Sequence, residues 1–343
     1  METAVIAVDA RAPEPAAIAR AAAVLRGGGL VAFPTETVYG LGALALDAGA
    51  VQRIFAAKGR PANNPIIVHI ADIAEVTKVA AVWPEPAERL ARRFWPGPLT
   101  LVVPRGAAVP DATTAGGPTV AVRVPAHPVA LALLRATGAP IAAPSANRST
   151  ELSPTRAEHV LRGLAGRIDL VLDGGATTGG VESTVLDVTT SPPRLLRPGL
   201  IGPAELEAAI GPIARPTAVK IETVLPSPGM LPRHYAPRTP LECTPNGRDR
   251  VEELLCKGAR VGWMTFSGAP EEAPLGSVVQ QMPMDPAAYA AQLYAALHSL
   301  DDAGLDRIIV DRPPETDAWL AVQDRLRRAA HRDTSVSLPG SAL

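Results

Sequence analysis

The sequence predicts an α/β protein in two unequal parts, and three observations carry the prediction. Short β-branched runs alternate with longer Ala-rich amphipathic stretches up to residue 211. Residues 212–240 break that alternation with many prolines. From residue 241 a plain β-α-β-α-β-α order resumes, which suggests a small parallel sheet with helices packed on it. The 343 residues are enough for more than one domain, and a hydrophobic fraction of 47% supplies cores for both. Aromatic residues are only 3%, so alanine, valine and leucine must do most of the packing.

Taken in order, PEPAAIARAAAVLRGGG reads as a helix with prolines at its start and glycines at its end. LVAFP is a short buried strand. DAGAVQRIFAAK is a second helix with Asp47 as its N-cap. The strand IIVHI follows, then a helix opened by Asp72, then the helix PEPAERLARRFW. LTLVV and TVAVRV are strands by their β-branched content. HPVALALLRATG is a helix closed by Gly138, and APIAAPS a strand that runs into a turn. TRAEHVLRGLAG (helix), IDLVL and STVLDV (strands) and PAELEAAIG (helix) complete a first domain over 1–211. Residues 212–240 read as a semi-rigid Pro-rich linker. The second domain, 241–343, takes LECTP, RVGWMTF and RIIVDRP as strands. Its helices are GRDRVEELLCKG, DPAAYAAQLYAALHSLDDAG and TDAWLAVQDRLRRAAH.

Charge and motif content narrow the functional classes. With 33 basic and 34 acidic residues the net charge is -1, which argues against a general nucleic-acid coat but leaves room for a local basic site. Cys243 and Cys256 are read as ordinary reduced thiols, and neither CxxC nor Cys/His spacing suggests a metal. The N-terminus lacks a basic start followed by an apolar run, and no stretch approaches the roughly 18 apolar residues of a membrane span. A soluble cytoplasmic protein with no membrane partner is expected. A G-x-x-x-x-G-K-[ST] loop, a GxGxxG after a strand and a G-x-S-x-G elbow are all missing. A nucleotide would have to be held by basic side chains and backbone groups, with any Mg²⁺ sitting mainly on its phosphates.

Several segments could build such a site. KGRPANNP places Lys58 and Arg60 around Gly59: a compact point charge and a planar fork suited to phosphate or carboxylate. Pro61 and Pro65 stiffen the loop, and Asn64 can donate or accept. PTETVYGLG carries Thr35, Thr37, Tyr39 and Glu36 out of a buried strand into a Gly-rich turn. PSANRS puts Ser145 and Asn147 past a strand, a common ligand position in open α/β sheets. GGVESTVLDV offers Glu182, Ser183 and Thr184; LLRPG and TVAVRVP each end a strand on an arginine, Arg197 and Arg123. His69 interrupts the apolar IIVHI. Each alone is an ordinary turn, strand end or core histidine.

In this order, PTETVYGLG, KGRPANNPIIVHI, PGPLTLVV, TVAVRVP, AAPSANRS, VESTV and LLRPG resemble the YrdC-type threonylcarbamoyl-AMP synthase family. The K-x-R and S-x-N pairs of that family match Lys58/Arg60 and Ser145/Asn147. SPGMLPRHYAP, followed by the second domain, resembles the longer two-domain form. The resemblance implies a twisted, open mixed sheet with a concave basic cavity and a smaller Rossmann-like domain. It also implies a reaction in which L-threonine, bicarbonate or CO₂, and ATP give threonylcarbamoyl-AMP and pyrophosphate. A partner transferase would then act on an adenosine next to a tRNA anticodon, and tRNA itself is carried as a weak partner. No resident metal is implied.

By the same resemblance, Thr37, His69, Arg123, Ala143 and Ser183 surround threonine. Lys58, Arg60, Asn64, Thr119, Ser145, Asn147, Ser153 and Arg197 contact ATP, with Lys58 and Arg60 catalytic because they neutralise the departing pyrophosphate. His234 and Tyr235 form a lid that excludes water from a labile carbamate. The alternative is a non-catalytic RNA-binding module, which the near-zero net charge supports weakly.

Overall fold

The structure is a computed structural model that describes residues 2–215, 234–266 and 273–331. The first part opens with β1 (Ala4–Ala7), α1 (Pro15–Arg26), β2 (Val31–Phe33) and β3 (Gly40–Leu44). Next comes α2 (Ala48–Lys58). Asp47 caps it, its carboxylate accepting from Gly49 N at 2.8 Å and Ala50 N at 3.1 Å, and the helix stops at Gly59, whose φ of 62° is left-handed. That stop leaves Lys58 inside the helix and Arg60 in the loop beyond it. β4 (Ile67–His69) follows. The segment opened by Asp72 is a 3-10 helix, Ile73–Lys78, and not an α-helix. Three β-branched residues in six weaken an α-helix there, and the chain turns again at Val79.

α3 (Glu85–Phe94), β5 (Leu99–Pro104), the single turn α4 (Asp111–Thr114), β6 (Thr119–Arg123) and α5 (Pro128–Thr137) come next. They lead to β7 (Ile141–Ala142), α6 (Ala157–Leu164), β8 (Leu170–Asp173), β9 (Thr184–Asp187), β10 (Arg194–Arg197) and α7 (Pro203–Ile210). The strands form one large mixed sheet in the order β1-β8-β2-β3-β7-β4-β6-β5-β9-β10. Both faces of β2 are buried, so its residues alternate between two cores. Val31 and Phe33 pack with Ile18 and Leu25 of α1 and Leu133 of α5; Leu30 and Ala32 join a larger core with Ile54 of α2 and Leu90 of α3.

The second part holds β11 (Leu241–Thr244), α8 (Gly247–Cys256), β12 (Val261–Thr265), β13 (Val278–Gln281), α9 (Pro286–Asp302), β14 (Arg307–Asp311) and α10 (Leu320–Ala329). Its sheet is parallel throughout, in the order β11-β14-β12-β13. β13 adds an edge strand to the expected three; VVQQ is polar and partly exposed, so it gave no apolar signal. β1 and β3 were likewise not anticipated, the first because it is a short edge strand, the second because two glycines in GLGAL read as a turn.

The two parts share a core. Val38, Leu152 and Val181 of the first cluster with Tyr289, Leu293, Tyr294 and Leu297 of α9. A Cβ at Gly180 (φ 71°) would come within 2.2 Å of Ala290 O, so glycine lets the loop lie directly on α9. Of the linker, 216–233 lie outside the described residues; His234 and Tyr235 are described and buried. Among the described residues, no helix is long and apolar enough to cross a membrane.

Candidate functional site

A cavity lies on the face of the large sheet. Ile67 and His69, two apart on β4 and therefore on one face, form its floor. Arg123 stands beside His69 because the two are register partners of parallel β4 and β6. Ala143 comes from the turn after β7, its N–H bonded to Ile67 O at 2.9 Å, and small side chains there and at Gly40 keep the floor open. Thr35 and Thr37 arrive from the loop after β2, Ser183 from the turn before β9, and Arg197 from the end of β10. Arg60 and Ser145 close one side, and His234 and Tyr235 cover the remainder.

All five residues expected around threonine line this cavity. Arg123 is the most connected. Its Nε donates to Gly97 O at 3.1 Å, one terminal nitrogen to Thr37 Oγ1 at 3.1 Å and the other to Glu36 Oε1 at 2.6 Å. Glu36 Oε2 is buried with no hydrogen-bond partner. Ser183 Oγ pairs with Thr100 Oγ1 at 2.8 Å and accepts from Arg197 at 3.1 Å, while Arg197 Nε donates to Ser183 O at 3.0 Å. The serine is therefore fixed by two elements at once.

Of the residues expected around ATP, Arg60, Ser145 and Arg197 line the cavity. Lys58 and Asn147 sit just behind it. Lys58 is 2% exposed, and its Nζ donates to Ser145 O at 2.6 Å and to Asn147 O, so it pins the S-x-N turn from below. Burial, reinforced by the charge of Arg60, pushes its pKa well below the usual lysine range. Asn147 donates to Arg148 O and Glu151 O, at 2.8 and 2.9 Å. Arg60 is held by Asn64 O at 3.0 Å and Pro65 O at 2.7 Å, and burial lowers its pKa to about 10. Asn64 is fully buried with both amide atoms unpartnered. Thr119 starts β6 opposite Pro104, and Ser153 donates to Glu182 Oε1; neither lines the cavity.

Buried polar atoms without partners gather here: His69 Nδ1, Asn147 Oδ1, His234 Nδ1 and Tyr235 OH, besides those of Glu36 and Asn64. Each would cost about 1–3 kcal/mol if left dry, so their concentration around one basic cavity marks a site for a polar, anionic ligand. Among the described residues, no group of three or more His, Cys, Asp or Glu is arranged to hold a metal ion.

His69 has a measurable signature. Burial, then the neighbouring Arg123, lower its pKa to about 3 from 6.5, so it is neutral at physiological pH and can accept a hydrogen bond. Between those two values the unfolded chain binds a proton that folded His69 refuses. Stability therefore falls as pH drops from 6.5 towards 3. Chemical denaturation at pH 7 and pH 4 is expected to cost the wild type about 3 kcal/mol more than a His69→Gln variant across that interval. Equal losses would mean that His69 carries its proton in the fold.

Sequence reasoning noticed Glu182 but not what it meets. Arg325 Nε donates to Glu182 Oε2 at 2.7 Å, and Tyr294 OH donates to the same carboxylate, both from the second part of the chain. Burial alone would raise the Glu182 carboxyl, but Arg325, Arg197 and Ser153 outweigh it and hold it below the ordinary glutamate value. The signal for Arg325 was present. Ala321, Val322, Leu326 and Ala329 make the buried stripe of α10, and Arg325 falls inside it at helical spacing.

A family profile described as telomere recombination (Sua5, YciO, YrdC) matches residues 23–199, and one described as threonylcarbamoyl-AMP synthase, C-terminal domain, matches residues 201–331. The threonylcarbamoyl-AMP synthase of Pyrococcus abyssi is 48% identical over 90% of this chain and 93% of its own length. That of Bacillus subtilis is 47% identical over 91% and 92%. The crystal structure of P. abyssi Sua5 complexed with L-threonine superposes with a TM-score of 0.89 at 46% identity, covering 96% of this chain and 98% of that one.

Proposed function

This chain belongs to the Sua5–YciO–YrdC family in its two-domain form, and we infer from that membership and from the basic cavity that it is a threonylcarbamoyl-AMP synthase. It converts L-threonine, bicarbonate or CO₂, and ATP into threonylcarbamoyl-AMP and pyrophosphate, for the threonylcarbamoylation of tRNA next to the anticodon. The observation that carries the reading is the cluster of Arg60, Arg123 and Arg197 around one cavity edged by stranded buried polar atoms. The named relatives are synthases, so the non-catalytic RNA-binding alternative is not favoured.

In this reading Arg123 and Thr37 take the threonine carboxylate, while neutral His69 and Ser183 receive its amine and hydroxyl over Ala143. The threonine amine adds to CO₂ and loses a proton, or condenses with bicarbonate with loss of water, to give a carbamate. A carbamate oxygen attacks the α-phosphorus of ATP, and the bond to pyrophosphate breaks. Arg60 and Arg197, with Lys58 behind the S-x-N turn, stabilise the charge that builds on the leaving group. Ser145, Asn64 and Asn147 would hold the nucleotide; Thr119 and Ser153 act through their neighbours. The donors around the cavity suit phosphates better than a cation, since Glu182 is engaged by Arg325 and Glu36 by Arg123. Mg²⁺ would therefore enter on the phosphates of ATP.

His234 and Tyr235 act as a lid, a role supported by their burial over the cavity. The domain boundaries at 211 and 241 are proposed on the same footing, since α7 ends at Ile210 and β11 begins at Leu241. A transferase that accepts threonylcarbamoyl-AMP and acts on tRNA is the expected partner. Pyrophosphate release that requires both threonine and bicarbonate, with the product mass of threonylcarbamoyl-AMP, tests the reading. Release without threonine would overturn it.

A further inference from the structure

The second domain reaches the wall of the cavity through Arg325 and Tyr294, and the guanidinium makes most of the connections. Arg325 of α10 is 1% exposed. Besides the Glu182 carboxylate it holds two backbone carbonyls, Glu182 O at 3.3 Å and Pro198 O at 3.0 Å. Glu182 precedes Ser183 and Pro198 follows Arg197, so both carbonyls adjoin cavity-lining side chains, one in the turn before β9 and one at the end of β10. A third connection is to the linker end: the guanidinium lies 5.1 Å from the centre of the Tyr235 ring. Tyr294 of α9 adds its hydroxyl to both Glu182 oxygens, at 3.2 and 3.1 Å, and its ring lies 6.0 Å from that of Tyr235. Asp324 Oδ2 takes the last bond of Arg325, at 3.0 Å.

Tyr235 needs such support. Its φ of 59° is left-handed, and so is that of Thr150 at 71°, whose carbonyl accepts from Ala236 N at 2.9 Å. Two non-glycine residues in that region, the carbonyl of one bonded to the residue after the other, stay there only if their surroundings over-determine them. Arg325 and Tyr294 supply part of that constraint, from a domain whose described residues give no side chain to the cavity lining itself.

We propose that Arg325 is a positioning residue for the synthase reaction: with Tyr294, acting through Glu182, Pro198 and Tyr235, it fixes Ser183, Arg197 and the lid, so that the second domain completes the site. This rests on the synthase reading above. The domain then has a defined task. It holds the two strand ends at the spacing the substrates need and keeps the cavity covered while the carbamate awaits the α-phosphorus. A loosened clamp would let water in before adenylation. The carbamate would fall back to threonine and CO₂, or ATP would be hydrolysed without product.

The test compares three variants with the full wild-type chain. The readouts are threonine and ATP KM, the ratio of pyrophosphate released to threonylcarbamoyl-AMP formed, and the thermal midpoint. Tyr294→Phe removes one hydroxyl and keeps the packing; threonine KM or the release ratio is expected to rise about tenfold, the size of one hydrogen bond to a charged group. Arg325→Met should do more and should also lower the midpoint, because Glu182 is left buried without its cation. Adding Glu182→Gln to Arg325→Met should recover the midpoint but not the coupling, since no fork then spans Glu182 O and Pro198 O.

Coupling that recovers together with the midpoint would make Arg325 a merely structural residue and overturn the proposal. Unchanged KM and ratio in Tyr294→Phe would overturn it too. A wild-type chain that makes no threonylcarbamoyl-AMP would overturn the synthase reading, and this proposal with it.

Discussion

Replacing Arg60 with methionine is expected to slow threonylcarbamoyl-AMP formation by about 10²–10³-fold, the usual cost of removing one preorganised donor from a developing charge. Arg60 qualifies because its fork is aimed before any ligand arrives. Two of its nitrogens are held by Asn64 O and Pro65 O, which fixes the plane of the guanidinium and leaves its outer edge on the cavity. With a pKa of about 10 it stays charged at neutral pH. Pyrophosphate release at saturating threonine and ATP measures the loss, and an unchanged thermal midpoint separates it from unfolding. Arg60→Lys should recover only part of the rate, because an ammonium lacks the rigid planar fork that fixes two carbonyls on one edge and faces a phosphate with the other. A loss of only a few-fold in the methionine variant would show that Arg197 and Lys58 carry the charge without Arg60.

Arg123→Gln should act on the other substrate. Threonine KM is expected to rise about 10²-fold, from the loss of a charged, buried pairing worth roughly 2–5 kcal/mol, while ATP KM changes little. The selectivity follows from position: Arg123 meets Thr37, Glu36 and Gly97 O at one end of the cavity, and Arg60 and Ser145 line another side. Initial rates with each substrate varied in turn check the split. An equal rise in both constants would mean that Arg123 holds the sheet together and does not recognise the amino acid. Glu36 already shares the fork, so a substrate carboxylate has to displace it or share the guanidinium with it. Glu36→Gln, which weakens that competition, should shift threonine KM in the opposite direction to Arg123→Gln.

Most of the architecture was legible in the sequence because the alternation of strand and helix is strong and capping residues mark the ends. Asp47 and Gly138 do what their positions suggest. Elements without a periodic apolar signal were not legible: β3, rich in glycine, and β13, a polar edge. In the site, individual residues were readable as chemistry and their distances were not. Lys58 and Arg60 are two residues apart in sequence, yet Gly59 sends one behind the S-x-N turn and the other to the cavity edge. Ser153 looked like a ligand contact but is turned to Glu182. Arg325 looked like one charge in the helix TDAWLAVQDRLRRAAH; its spacing from Ala321, Val322, Leu326 and Ala329 puts it in the buried stripe, but nothing local names Glu182 as its partner. Such pairings depend on register between segments 29 to 143 positions apart, and composition holds no record of that.

The distance between Glu182 and Arg325, 143 positions along the chain, has a consequence for synthesis on the ribosome. The large sheet is complete in sequence at β10, and at translation speeds of about 5–20 residues per second its strands emerge many seconds before α10 does. Over that interval Glu182 lacks the Arg325 guanidinium, and Val38, Leu152 and Val181 have no α9 to cover them. The first domain is therefore a nascent chain with a charged, apolar and unfinished flank, held waiting for its own C-terminal end. It resembles one half of an obligate dimer whose second subunit is still being made.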